Sequence, residues 1–109
     1  LVTQGADRNY YAFVVPVLAE LALKKAAKAA GVKSVAMIHV ADINKVTGYI
    51  RGGCSPVGMK KQFPTVFHET VELFDTICVS AGKIGAQVEV APADLIALLG
   101  AQTADVTVE

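Results

Sequence analysis

Cysteine is scarce in this sequence, and its two cysteines, Cys54 and Cys78, lie in dissimilar surroundings. Neither has a CxxC partner or a histidine at the spacing that zinc sites use, so nothing favours a structural zinc site. Isolated thiols of this kind are typical of a reduced, cytosolic protein. A chain of 109 residues can bury enough surface to fold as one domain without a disulfide bond or a structural metal.

Long hydrophobic runs are also missing. The longest, residues 10–19, stops at Glu20, whereas a membrane-spanning helix needs about 20 apolar residues. We therefore interpret this run as a core strand with its continuation. No charged-then-apolar leader opens the chain, so nothing argues for secretion, and we expect a cytoplasmic protein without a membrane partner.

The chain as a whole has no net charge, but its two halves carry opposite net charges. Residues 1–61 carry nine Lys and Arg against three Asp and Glu, whereas residues 62–109 carry one against seven. The basic excess falls on the segment 21–30 and on the loop that follows residue 47, which fits a phosphate-bearing partner approached from one side. Because the total is zero, non-specific affinity for nucleic acid should be small.

Periodicity and turn residues predict the order β-β-α-β-α-loop-β-β-β-α-β, an α/β fold on a mixed, strongly curved sheet with a few flanking helices. We expect Gly31, Gly48 and Gly100 to end the three helices. The predicted strands lie within residues 1–5, 10–17, 32–40, 64–69, 76–81, 86–91 and 104–109, and the predicted helices within 21–30, 41–48 and 91–100.

The stretch TGYIRGGCSPVGMKKQF, residues 47–63, is an unusual connector for so short a chain. Long loops in compact domains are usually functional or disordered. Adjacent glycines followed by a proline could present backbone N–H groups to a carboxylate, a phosphate or an ester oxygen. The alternative is a wide turn that uses glycine only for its geometry. Cys54 could act as a nucleophile only with a base in reach, and the sequence places neither His39 nor His68 beside it.

A second candidate is SAGKIG, residues 80–85, with a hydroxyl, two glycines and a lysine between two predicted strands. An ordinary hairpin loop would have the same composition. The two motifs together resemble the YbaK family of Cys-tRNA(Pro) deacylases, free-standing relatives of the editing domain of bacterial prolyl-tRNA synthetase. The resemblance covers 47–61 and 79–85 closely and extends loosely from about residue 10 to the C-terminus.

The resemblance implies a trans-editing deacylase that removes the amino acid from mischarged tRNA, without a cofactor. It implies that Gly52 and Ser80 act in catalysis, and it implies partners: the 3′ end of an aminoacyl-tRNA and prolyl-tRNA synthetase. The implied substrate-binding residues are Thr47, Gly53, Cys54, Ser55, Pro56 and Gly82, and the implied tRNA-contacting residues are Lys60, Lys61 and Lys83. The thiol of the bound cysteinyl group would attack its own ester.

The sequence departs from the family pattern in three places. The family's essential lysine would fall just before Leu1, so we expect residues 1–109 to be an editing domain without its N-terminal segment. Ala81 replaces a usual glycine, and Gln87 stands where some members have an acidic residue. A non-catalytic module that binds the aminoacyl-tRNA end or the synthetase is the alternative function.

Overall fold

The computed structural model describes residues 1–48, 63–82 and 85–108, apart from the side chains of Val40 and Asn44. Within these ranges the elements follow the predicted order. The strands are β1 (Val2–Gly5), β2 (Tyr10–Val14), β3 (Val35–Met37), β4 (Thr65–His68), β5 (Ile77–Ser80), β6 (Gln87–Val90) and β7 (Gln102–Ala104); the helices are α1 (Leu23–Ala30), α2 (Ile43–Thr47) and α3 (Pro92–Leu99); 3₁₀ turns cover Val40–Asp42 and Glu69–Leu73.

Five of these strands form a mixed sheet in the order β3-β1-β2-β4-β7. Strands β2, β4 and β7 run parallel, and β1 is antiparallel to both of its neighbours. The predicted mixed α/β fold is confirmed. Strands β5 and β6 pair antiparallel with each other as a separate two-stranded sheet, a division that the sequence pattern does not predict.

The large sheet is covered on both faces because successive side chains of a strand point to opposite sides. Phe13, fully buried, packs on one side against Ala26 and Ala27 of α1. Phe67, also fully buried, packs on the other side against Val79 of β5 and Leu95 of α3. The small hairpin is thereby fixed against the second face of the large sheet.

Glycines end the helices as predicted. Gly31 and Gly100 cap α1 and α3 with φ of 74° and 61°, a left-handed conformation that costs glycine little. Gly48 follows α2 with φ of 82°. None of the helices in the described ranges is long and apolar enough to cross a bilayer.

One boundary prediction is wrong. The last strand, expected at 104–109, lies at Gln102–Ala104 because the turn at Gly100 leads directly into pairing with β4. Val106, which the alternating pattern placed in a strand, is buried in the α1 cluster just before an isolated bridge between Thr107 and Leu21. The apolar run 10–19 continues past β2 without strand structure: Val15 still packs against the Phe13 cluster, and residues 16–18 are exposed.

Candidate functional site

The β5–β6 hairpin places the second sequence motif. Ser80 is the last residue of β5 and pairs with Gln87 of β6. The Ala81 N–H donates to the carbonyl of Ala86 at 2.9 Å, which closes the hairpin. Val79 beside Ser80 is buried in the core cluster of Phe67. The position of Ser80 is therefore set by core packing on one side and a closed turn on the other.

The Ser80 hydroxyl takes part in the turn as an acceptor. Its Oγ accepts a hydrogen bond from the N–H of Gly82 at 3.2 Å. Gly82 has φ of 99°, a conformation that glycine adopts easily and other residues rarely do. Since a hydroxyl has one donor hydrogen and two lone pairs, and no acceptor among the described residues takes the hydrogen of Ser80, that hydrogen is available to a bound group.

A cavity of about 320 Å³ lies between this hairpin and the large sheet. Val2, Ala12 and Val14 of β1 and β2 form one wall, and Ser80 and Gln87 lie on the opposite wall. Residues 15–17 and 19, which follow β2, and Leu1, Phe13, Cys78 and Val79 also line it. A mainly apolar cavity with a few polar groups is typical of small-ligand sites. Gln87, the departure noted in the sequence, is thus part of its wall.

The residues on either side of the glycine-rich segment lie on the same sheet face. Thr47, fully buried, ends α2 and donates its hydroxyl to the carbonyl of Ile43 at 2.8 Å. Its neighbour Val46 packs with Phe63 against Ala12. Ala12 also lines the cavity that Ser80 faces. The structure therefore brings both flanks of the segment next to the cavity wall.

Three of the predicted site residues, Thr47, Ser80 and Gly82, are within the described ranges. Ser80 and Gly82 share the hairpin turn, whereas Thr47 has its hydroxyl occupied within α2. The remaining predicted residues lie outside the described residues: Gly52, Gly53, Cys54, Ser55, Pro56, Lys60, Lys61 and Lys83.

Comparison with known proteins identifies the family. The sequence model of one protein family, the aminoacyl-tRNA editing domain, matches residues 1–98. The chain belongs to the aminoacyl-tRNA editing domain family. The editing domain is 50% identical over 107 residues to a protein of Enterococcus faecalis (strain ATCC 700802 / V583) assigned as Cys-tRNA(Pro)/Cys-tRNA(Cys) deacylase EbsC. The alignment covers 98% of this chain and 65% of that relative, so the chain spans just under two thirds of the relative's length.

Solved structures agree with this family assignment. A protein assigned as a trans-editing enzyme for prolyl-tRNA synthetase superposes with a TM-score of 0.90 at 28% identity, covering 100% of the editing domain and 68% of that chain. A scaffold protein from computational epitope grafting gives a TM-score of 0.91 at 28% identity, covering 100% and 69%. The resemblance inferred from the two motifs is confirmed.

A second cavity of about 360 Å³ adjoins the first and was not foreseen from the sequence. Both cavities are lined by Val14 and by the exposed thiol of Cys78.

His68, which lines the second cavity, accepts a hydrogen bond from the Val106 N–H on Nδ1 at 3.2 Å. The neutral ring therefore carries its hydrogen on Nε2, which lies 3.4 Å from Thr107 Oγ1. Both ring nitrogens of His68 are therefore engaged with the C-terminal segment, and this histidine holds structure together. No local pattern in the sequence shows that residues 39 positions apart meet.

Proposed function

We propose that the protein containing this chain is a trans-editing deacylase that removes the amino acid from mischarged tRNA, with Cys-tRNA(Pro) as the leading substrate. The observation that carries the proposal is geometric. The serine of one family motif lines an apolar cavity, and the residues that flank the other motif pack against Ala12, which lines the same cavity. The 50% identity to a protein assigned as a Cys-tRNA(Pro)/Cys-tRNA(Cys) deacylase supports the substrate class.

In this proposal the aminoacyl group enters the cavity between Ala12 and Ser80. The apolar walls of β1 and β2 limit water near the ester and strengthen electrostatic interactions there. The Ser80 hydroxyl donates to the ester carbonyl, whose oxygen gains negative charge as the tetrahedral intermediate forms. Backbone N–H groups at Gly52 and Gly53 are the proposed second set of donors.

The reaction that the family resemblance implies uses the substrate's own thiol. The sulfur attacks the ester carbonyl, a carbon–sulfur bond forms, and the carbon–oxygen bond to the tRNA breaks. The thiol proton passes to the departing 3′ oxygen, leaving free tRNA and a cyclic thioester. The protein supplies orientation and charge stabilisation, which are large contributions to catalysis in comparable sites.

The proposed partners follow from charge. Lys60, Lys61 and Lys83 would meet the tRNA end beyond the two motifs. A net charge of zero provides little affinity for nucleic acid, so we propose that prolyl-tRNA synthetase assists by presenting the mischarged tRNA in a ternary complex.

The test is deacylation of Cys-tRNA(Pro) by the native gene product that contains this chain, with correctly charged Pro-tRNA(Pro) as the control substrate. We expect loss of the cysteinyl ester, retention of the prolyl ester and appearance of the cyclic thioester or its hydrolysis product. A Gly52→Val variant should lose activity, because the family resemblance implies that Gly52 acts in catalysis. Binding of Cys-tRNA(Pro) without loss of the ester would instead show a non-catalytic module and overturn the proposal.

A further inference from the structure

Helix α1 has two chemically different sides. Its buried residues, Ala26 and Ala27, pack against the sheet in the Phe13 cluster. Lys24 and Lys28 lie one turn apart on the exposed side. The helix has eight residues and no acidic residue in its first turn. Its outer surface is therefore cationic, and Lys33, two residues after Gly31, is also exposed.

These three lysines differ from their neighbour Lys25. Lys25 Nζ lies 2.9 Å from Asp105 and donates to the carbonyl of Thr107 at 3.0 Å, so it ties α1 to the C-terminal segment. Among the residues that the structure describes, no carboxylate lies within ion-pair distance of Lys24, Lys28 or Lys33. Glu20 lies four residues before Lys24 in the sequence, and Asp105 is already paired with Lys25.

The cationic side of α1 begins a few residues along the chain from the cavity lining. Ala19 lines the cavity, and Lys24 is five residues further along the chain. Five residues span at most about 18 Å even when fully extended. Lys24 and Lys28 are then separated by about 6 Å along the helix axis, close to the rise of two nucleotides in one strand of a duplex.

We propose that Lys24, Lys28 and Lys33 form a docking surface for the phosphate backbone of the tRNA whose 3′ end occupies the cavity. This inference rests on the proposed function, because it assumes that a charged 3′ end is bound there. Unpaired ammonium groups are point charges that bind phosphates without reading sequence. The surface lets a chain of zero net charge bind RNA locally, on the side where its positive charge is concentrated.

The test measures the affinity of the native gene product that contains this chain for uncharged tRNA(Pro), by fluorescence anisotropy over a range of salt concentrations. In the triple variant K24A/K28A/K33A, each lost phosphate contact should reduce the slope of log affinity against log salt by about 0.7 to 0.9, giving a total reduction of about 2 to 3. The matched variant K24R/K28R/K33R keeps the charges and should keep the slope. Thermal unfolding of both variants shows that the fold is retained.

A second measurement separates docking from chemistry. In the native gene product, the alanine variant should raise KM for Cys-tRNA(Pro) and leave kcat unchanged, and it should not affect a cysteinyl-adenosine ester that has no tRNA body. An unchanged salt slope in the alanine variant, or an equal loss in the arginine variant, would overturn the docking surface. Absence of ester hydrolysis in the wild-type protein, with the salt slope intact, would remove the proposed function and leave this surface standing.

Discussion

Replacing Ser80 by alanine is the most informative change at the proposed site. The hydroxyl makes one hydrogen bond within the described structure, as the acceptor of the Gly82 N–H at 3.2 Å. Removing it costs that single bond, about 1 kcal/mol of folding stability, or a fall in Tm of about 4–8 °C for a domain of this size. Removing one donor to a developing oxyanion costs about 10² to 10³ in kcat. The expected loss of activity is therefore much larger than the loss of stability.

Single-turnover deacylation of Cys-tRNA(Pro) and thermal unfolding measure these two effects on the same samples. Ser80→Thr keeps a hydroxyl and should recover part of the rate, whereas Ser34→Ala, at an exposed serine, should change neither quantity. Gly82→Ala places a side chain on a residue with φ of 99° and should disturb the turn and the rate together. A rate in the Ser80→Ala variant within threefold of the wild type would refute the donor role of this hydroxyl.

Three further predictions concern the fold. Phe67→Ala should destabilise the protein by about 3–5 kcal/mol, seen in urea unfolding, since Phe67 is fully buried; Leu98→Ala, at a residue that is 71% exposed, should change stability by less than about 0.5 kcal/mol. Gly5→Ala should cost about 1–3 kcal/mol, because its Cβ would lie 2.6 Å from Asp7 Oδ1 and 2.9 Å from Tyr11 Cε2; wild-type stability would contradict this. The hydrogen bond from the Tyr11 hydroxyl at 2.6 Å holds the pKa of Asp7 below its ordinary value. A carboxyl group whose pKa is lower in the folded than in the unfolded protein stabilises the fold above the unfolded-state pKa of about 3.9, and this stabilisation is lost as the pH falls through the folded-state pKa. The Tm should therefore fall below about pH 4, and it should fall less steeply in Asp7→Asn.

The order of the elements could be predicted because local chemistry fixes it. Gly31 and Gly100 end their helices by conformational freedom that no neighbour has to provide. The C-terminal boundary could not be predicted, because residues 104–109 alternate like a strand. Contacts with distant residues decide the outcome there: the Val106 N–H bonds to His68, and Thr107 meets Leu21.

The motifs of the candidate site could be predicted from the sequence, but their arrangement in space around the cavity could not. Nothing in the sequence near Ser80 shows that it faces Ala12 across a cavity, since 68 positions separate them. Ala12 itself carries no chemical signal, because it contributes only a small side chain on a buried strand. Its importance comes from sheet pairing, which places it between the cavity and the packing of Phe63 and Val46.

The central claim is that the cavity between β2 and the β5–β6 hairpin holds the aminoacyl group. NMR titration of the native gene product that contains this chain with a non-hydrolysable 3′-amino analogue of cysteinyl-adenosine tests it most directly. The proposal predicts saturable shifts of the backbone amides of Ala12, Val14 and Ser80. Shifts confined to the separate groove of about 390 Å³ lined by Met37 and His39, or no shifts at saturating analogue, would contradict it.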